Sequence, residues 1–98
     1  IMKSEYKIIA DIITDNTRVL DVGCDDGSLM EFLKKDKNLD IRGIEISKEK
    51  VQTCISKGLT AIEGDAEFDL KQFPNKSFDY VVLGQTLQAF INPEAVIK

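Results

Sequence analysis

The chain predicts an α/β fold with a doubly wound parallel sheet. Three observations carry that expectation. Apolar strand-like runs alternate with helical patterns along all 98 residues. A strand ending at Asp21-Val22 runs into Gly23-Cys24-Asp25-Asp26-Gly27, and a helical pattern starts directly after it. Each of four predicted strands ends near a small or acidic residue, at the edge where open α/β sheets bind ligands.

The elements follow in order. Lys3 to Thr14 places Tyr6, Ile9, Ala10 and Ile13 on one helical face, and Asp15-Asn16-Thr17 breaks it. Arg18 to Val22 is the first strand. Ser28 to Lys35 is a helix whose Leu29, Phe32 and Leu33 face the sheet; Lys34, Lys35 and Lys37 suit the negative end of its dipole. Leu39 to Ile46 is the second strand. Ser47 caps a helix over Lys48–Lys57, with Val51, Cys54 and Ile55 as its buried stripe and Gly58 as its stop. Leu59 to Glu63 is the third strand. Ala66 to Phe73 reads as a short helix and Pro74 to Ser77 as a turn. Phe78 to Leu83 is the fourth strand, after which the chain is expected to turn helical, with Asn92-Pro93 opening another helix. Right-handed crossovers then predict strand order 3-2-1-4.

Composition narrows the function classes. A net charge of −4 argues against nucleic acid held by a basic surface. No apolar run approaches the ~20 residues of a membrane span. With no histidine and only two cysteines out of metal-ligand spacing, a zinc site or a histidine triad is not expected. Free thiols at Cys24 and Cys54 fit a reducing compartment, so a cytoplasmic location is expected.

The glycine loop points to a cofactor. Gly23 has no Cβ and tolerates the positive φ of a sharp turn, and Gly27 lets the following helix approach the sheet. Two carboxylates, Asp25 and Asp26, would repel a pyrophosphate resting on the helix N-terminus. They would not repel a cofactor carrying cationic groups, which favours S-adenosylmethionine over NAD or ATP. Asp21, at the end of a buried strand, needs a ligand or a backbone partner to offset its burial. Glu45 lies 18 residues after Gly27, near the ~20-residue spacing of an acid that accepts ribose hydroxyls. Cys24 and Cys54 read mainly as small packing residues, and Asp79, at the start of its strand, as structural. Gln85, Thr86 and Gln88 face either a methyl acceptor or a partner protein.

The run Asp21-Val22-Gly23-Cys24-Asp25-Asp26-Gly27, with Glu45, Gly64-Asp65 and Phe78-Asp79-Tyr80-Val81-Val82, resembles the first four motifs of the class I S-adenosylmethionine-dependent methyltransferases. The resemblance extends over about Asn16 to Lys98. Phe73 to Ala89, above all Gln85-Thr86-Leu87-Gln88-Ala89, closely resembles the methionine biosynthesis protein MetW family. The resemblance implies a Rossmann-like fold, of which this chain would supply the N-terminal strands in a single domain that continues past Lys98. It implies a cofactor site drawn from Asp21, Gly23, Cys24, Asp25, Gly27, Glu45, Ile46, Asp65, Ala66 and Gly84, with Asp65 meeting the adenine amino group. It also implies work beside homoserine O-acetyltransferase in methionine synthesis. The loop departs from the usual acid-x-Gly-x-Gly-x-Gly, because Asp25 replaces the middle glycine; it either holds the ligand ammonium or crowds the loop.

Two functions remain open on the sequence: a methyltransferase acting on a small-molecule acceptor, and a noncatalytic S-adenosylmethionine-binding partner of homoserine O-acetyltransferase. A NAD-dependent enzyme is a distant third. No residue stands out as a catalytic base. The apolar run Tyr80-Val81-Val82-Leu83 predicts a buried strand whose free edge is paired by a further strand past Lys98, a second copy or a partner.

Overall fold

A computed structural model describes residues 3–65 and 77–92. The elements are α1 (Lys3–Ile12), β1 (Thr17–Val22), α2 (Ser28–Lys34), β2 (Leu39–Glu45), α3 (Lys48–Ser56), β3 (Thr60–Glu63), β4 (Tyr80–Leu83) and β5 (Gln88–Ile91). The predicted helix at Ala66 to Phe73, most of the Pro74–Ser77 turn and the helix after Asn92 lie outside the described residues.

The five strands form one sheet in the order β3-β2-β1-β4-β5. The first four are parallel, in the predicted order. Register fixes what each face presents, because side chains alternate across a strand. Val19, Asp21, Ile41, Ala61, Tyr80 and Val82 share one face. That face meets α1, α2 and α3 through Ile9, Ile13, Met30, Leu33, Val51 and Cys54 in one apolar cluster. Leu20, Ile44 and Phe78, with Val22, form a smaller cluster on the other face.

Local chemistry explains the helices. The Ser47 hydroxyl accepts the Lys50 N–H at 3.4 Å and starts α3. Gly58, at φ +80°, ends it in the left-handed region. Ile55 is 57% exposed, so the buried stripe of α3 is Val51 and Cys54 without it. Ile55 directly follows Cys54, and the ~100° step of a helix carries it off the narrow face that meets the sheet. Lys37 donates to the Ala10 and Ile13 carbonyls, so this cation closes the C-terminus of α1 rather than serving the dipole of α2. Tyr6 and Phe32 join α1 to α2 with ring centroids 5.6 Å apart.

The segment after β4 differs from expectation. It is a strand, not a helix: β5 runs antiparallel to β4, with Tyr80 opposite Ile91 and Leu83 opposite Gln88. The four-residue turn Gly84–Leu87 is closed by the Thr86 N–H on the Leu83 carbonyl at 3.2 Å, with Leu87 at φ +52°. Phe90 and Ile91 favour extended backbone, and pairing satisfies the N–H and C=O groups that β4 would otherwise leave bare. The edge of β4 is therefore covered by this chain's own Gln88–Ile91.

Candidate functional site

The C-terminal ends of β1, β2 and β4 converge. The β1 ladder ends when the Gly23 and Cys24 N–H groups both reach the Ile44 carbonyl, at 2.8 and 3.1 Å. That contact folds the loop back over β2. The loop then carries Asp25 in the left-handed region at φ +55° and Gly27 at φ +86°. Asp26 Oδ1 accepts both the N–H and the hydroxyl of Ser28, at 3.0 and 2.6 Å, and so supplies the cap that Gly27 cannot. Those bonds hold the Asp26 carboxyl below its ordinary range. A Cβ at Gly27 would stand 2.5 Å from Leu59 Cδ1 and 3.1 Å from Cys54 Sγ, so this glycine serves helix packing.

Glu45 is buried, and its carboxylate bridges two backbone amides. Oε1 accepts the Asp25 N–H at 2.8 Å and Oε2 the Ser47 N–H at 2.9 Å. One acid thereby ties the glycine loop to the start of α3.

Asp21 is fully buried, and neither of its carboxylate oxygens has a hydrogen-bond partner among the described residues. Its register neighbours are Gly43 and Val82, which have no polar side chain to offer. The nearby Gly84 N–H is committed to the Val22 carbonyl at 3.1 Å. Burial pushes the Asp21 carboxyl up to about 7; the Gly84 N–H opposes the rise and the charge of Glu45 adds to it. Gly84 has no room for a side chain, since a Cβ there would lie 2.6 Å from Asp21 Oδ1 and 3.1 Å from the Gly23 carbonyl.

Two clefts meet over this loop. One, of about 280 Å³, is lined by Asp21, Gly23, Cys24, Asp25 and Gly84 from the predicted set, and also by Asp26, Tyr6, Lys50 and Gln85. The other, of about 210 Å³, takes in Gly23, Glu45, Ile46 and Asp65, again with Gln85. Gly23 and Gln85 belong to both, so the clefts form two halves of one groove. Gly27 lines neither half, and Ala66 lies outside the described residues.

Charge is unevenly placed. The first half is acidic, with Asp21, Asp25 and Asp26 against Lys50 among the described residues. Lys50 Nζ meets Asp25 Oδ1 at 2.5 Å, so the Asp25 carboxylate is already paired. The second half is less charged at its rim, where Ile46 is 70% exposed. Cys24 and Cys54 are buried free thiols with sulfurs 4.0 Å apart, and burial pushes both pKa values up, as expected of packing residues. Asp79 sits at the opposite end of the sheet, where it accepts the Arg18 N–H at 2.8 Å and pairs with its guanidinium at 3.2 Å.

Lys50 and Gln85 are among the groove residues that stand outside the predicted cofactor set. Lys50 sits among the exposed positions of α3 and carries no motif. Gln85 has a recognisable neighbourhood but no sequence rule that turns it toward Gly23. Among the described residues there is no cluster of His, Cys, Asp or Glu suited to a metal ion, and no helix long and apolar enough to cross a membrane.

Known proteins resemble this chain in sequence and in fold. A bifunctional methionine biosynthesis protein MetXA/MetW from Rhodopirellula baltica is 30% identical over an alignment of 92 residues that covers 86% of this chain and 15% of that protein. The chain thus spans only a small part of that relative. A SAM-dependent methyltransferase from Archaeoglobus fulgidus superposes with TM-score 0.71 at 27% identity, over 82% of this chain and 35% of its own. A TehB-like SAM-dependent methyltransferase from Corynebacterium glutamicum gives TM-score 0.70 at 21% identity, over 85% and 45%. The cyclase SpnF gives 0.67 at 23% identity, over 78% and 31%, so the shared fold alone does not set the reaction. The family model described as methionine biosynthesis protein MetW matches residues 3–98. On that match, and on a fold held in common with S-adenosylmethionine-dependent methyltransferases, the chain belongs to the MetW family, which is linked to methionine biosynthesis.

Proposed function

We propose that the groove binds S-adenosylmethionine and that residues 1–98 belong to one cofactor-binding domain of a cytoplasmic methyltransferase. The observation that carries this reading is Asp21: a fully buried carboxylate with no hydrogen-bond partner among the described residues, lining a cleft beside a glycine loop. Such a group is costly unless a ligand completes it. An ammonium does so and a phosphate does not. The acidic lining fits a cofactor with cationic groups, and Lys50 is within reach of its carboxylate end by exchanging partners with Asp25. In the other half, Glu45 retains acceptor capacity for ribose hydroxyls beside its two backbone bonds. Ile46 offers an apolar surface to the adenine, and Asp65 an acceptor for its amino group.

The cofactor supplies an already activated methyl group. The chain's own contribution is positional. Gly23 and Gly84 line the groove, Asp21 orients the ligand's ammonium, and Glu45 holds the loop in place. The acceptor in this reading is a small molecule. Calorimetric titration of the full-length protein with S-adenosylmethionine, its demethylated product and NAD tests it. The first two should bind and NAD should not; NAD binding, or no binding of S-adenosylmethionine, overturns it.

A second reading is supported by the MetXA/MetW relative, in which two functions share one chain. Here the protein binds S-adenosylmethionine and acts on homoserine O-acetyltransferase without transferring a methyl group. A change in acetyltransferase rate on adding the protein, with no methyl transfer to any cell extract fraction, selects this reading over the first.

A further inference from the structure

Gln85 occupies the joint of the groove. It sits in the Gly84–Leu87 turn, and its aliphatic stem lies along the outer surface of Gly23. A Cβ placed on Gly23 would be 3.4 Å from Gln85 Cγ and 3.8 Å from both Cδ and Nε2. Both halves of the groove border on this one side chain. Asp21 lies on one side of it, Glu45 and Asp65 on the other. A ligand that touches Asp21 and Glu45 at once passes over Gly23, and that space is bordered by the Gln85 Cγ methylene and its carboxamide.

Two features let this side chain move. Gln85 is exposed, and its amide makes no hydrogen bond to the described residues. The turn beneath it is held independently by the Thr86 N–H on the Leu83 carbonyl and by the left-handed Leu87. The side chain can therefore swing while the backbone stays in place. We propose that Gln85 is a movable partition, displaced by ligands that span both halves of the groove and left undisturbed by ligands that fill only one. The inference rests on the cofactor reading above and deepens it. With the amino-acid end at Asp21 and the nucleoside at Glu45, the sulfur that joins them falls at the partition. The displaced carboxamide, a neutral donor and acceptor, then stands beside the transferable methyl, where a methyl acceptor must approach.

A closed partition reduces apparent affinity by the fraction of molecules in which it stands open. Calorimetry on the full-length protein with S-adenosylmethionine, methionine and adenosine reads this directly. Gln85→Ala should tighten S-adenosylmethionine binding ~3–10-fold and leave methionine and adenosine unchanged. Gln85→Met, which keeps the stem and loses the amide, should bind S-adenosylmethionine like the wild type. Equal or weaker S-adenosylmethionine binding by Gln85→Ala overturns the partition while the cofactor reading stands. So does an equal shift in the two half-ligands. A wild-type protein that takes none of the S-adenosylmethionine fails at the cofactor reading itself and removes the partition with it, an outcome distinct from the other two.

Discussion

Glu45 Oε1 accepts the backbone N–H of Asp25 at 2.8 Å, across twenty residues of sequence. The same carboxylate takes the Ser47 N–H at 2.9 Å. Glu45 is thus a structural brace for the loop as well as a candidate ribose ligand. Glu45→Ala leaves two part-buried amides to water and should lower unfolding free energy by about 1–3 kcal/mol, less than the full cost of two buried unsatisfied groups. Urea denaturation checks it. Unchanged stability would mean that water replaces both bonds and that the brace is dispensable.

Asp21 makes stability depend on pH in an unusual direction. Its carboxyl is raised in the folded chain from an ordinary 3.8 to about 7. The folded state therefore holds its proton where the unfolded state has lost it. Stability falls as pH climbs through that interval, and the loss is complete above the folded value. The expected size is on the order of 4 kcal/mol. Asp21→Asn should flatten this slope and stabilise the ligand-free protein at pH 8. Denaturation of both proteins at pH 5 and pH 8 decides it; parallel pH profiles would show that Asp21 is not the group responsible.

Asp25 stands in the left-handed region, which costs a residue with a Cβ about 1–2 kcal/mol relative to glycine. Its half-exposed ion pair with Lys50 is screened by solvent and returns little of that cost. Asp25→Gly should therefore raise thermal stability slightly, by up to about 1 kcal/mol. A fall in melting temperature would show that the Lys50 pair contributes more than a surface ion pair does.

Gly27 should resist replacement for reasons of packing. An alanine there carries a Cβ 2.5 Å from Leu59 Cδ1 at a φ of +86°. Backbone strain and overpacking together predict a loss of about 2–4 kcal/mol. Calorimetric melting of Gly27→Ala measures it, and a loss within 0.5 kcal/mol would place Leu59 in a more yielding environment than described.

Much of this was legible in the sequence because the signals are local. The periodicity of Tyr6, Ile9, Ala10 and Ile13, the Ser47 cap and the Gly58 stop each act within a few residues. The alternation of strands and helices with a glycine loop between them carries the order of β1 to β4. Asp21 could be read as an acid needing a partner, since its strand is otherwise apolar. What escaped depends on distant partners. Lys50 reaches the groove from a helix face that no short pattern marks, and Gln85, singled out as an acceptor- or partner-facing residue, lies against Gly23 through a turn that no short pattern encodes. β5 was hidden because its turn requires Leu87 in a conformation that leucine seldom adopts. Ile55 looked apolar enough to bury but follows a cysteine that already fills the interface.

The β4–β5 hairpin gives the sheet two unlike poles. β4 runs toward the groove, the chain reverses at Gly84–Leu87, and β5 carries it back to Asn92, whose N–H meets the Asp79 carbonyl at 2.8 Å. Asn92 Nδ2 also anchors to the Phe78 carbonyl at 2.8 Å. Asn92 is thus pinned a full strand length from the groove, roughly 13 Å at ~3.3 Å per residue. A fluorophore placed at this pole would sit too far away to touch a small ligand, yet near enough for distance-dependent quenching to follow the turn that carries Gln85. The hairpin thus provides a fixed point from which movement at the opposite pole can be watched.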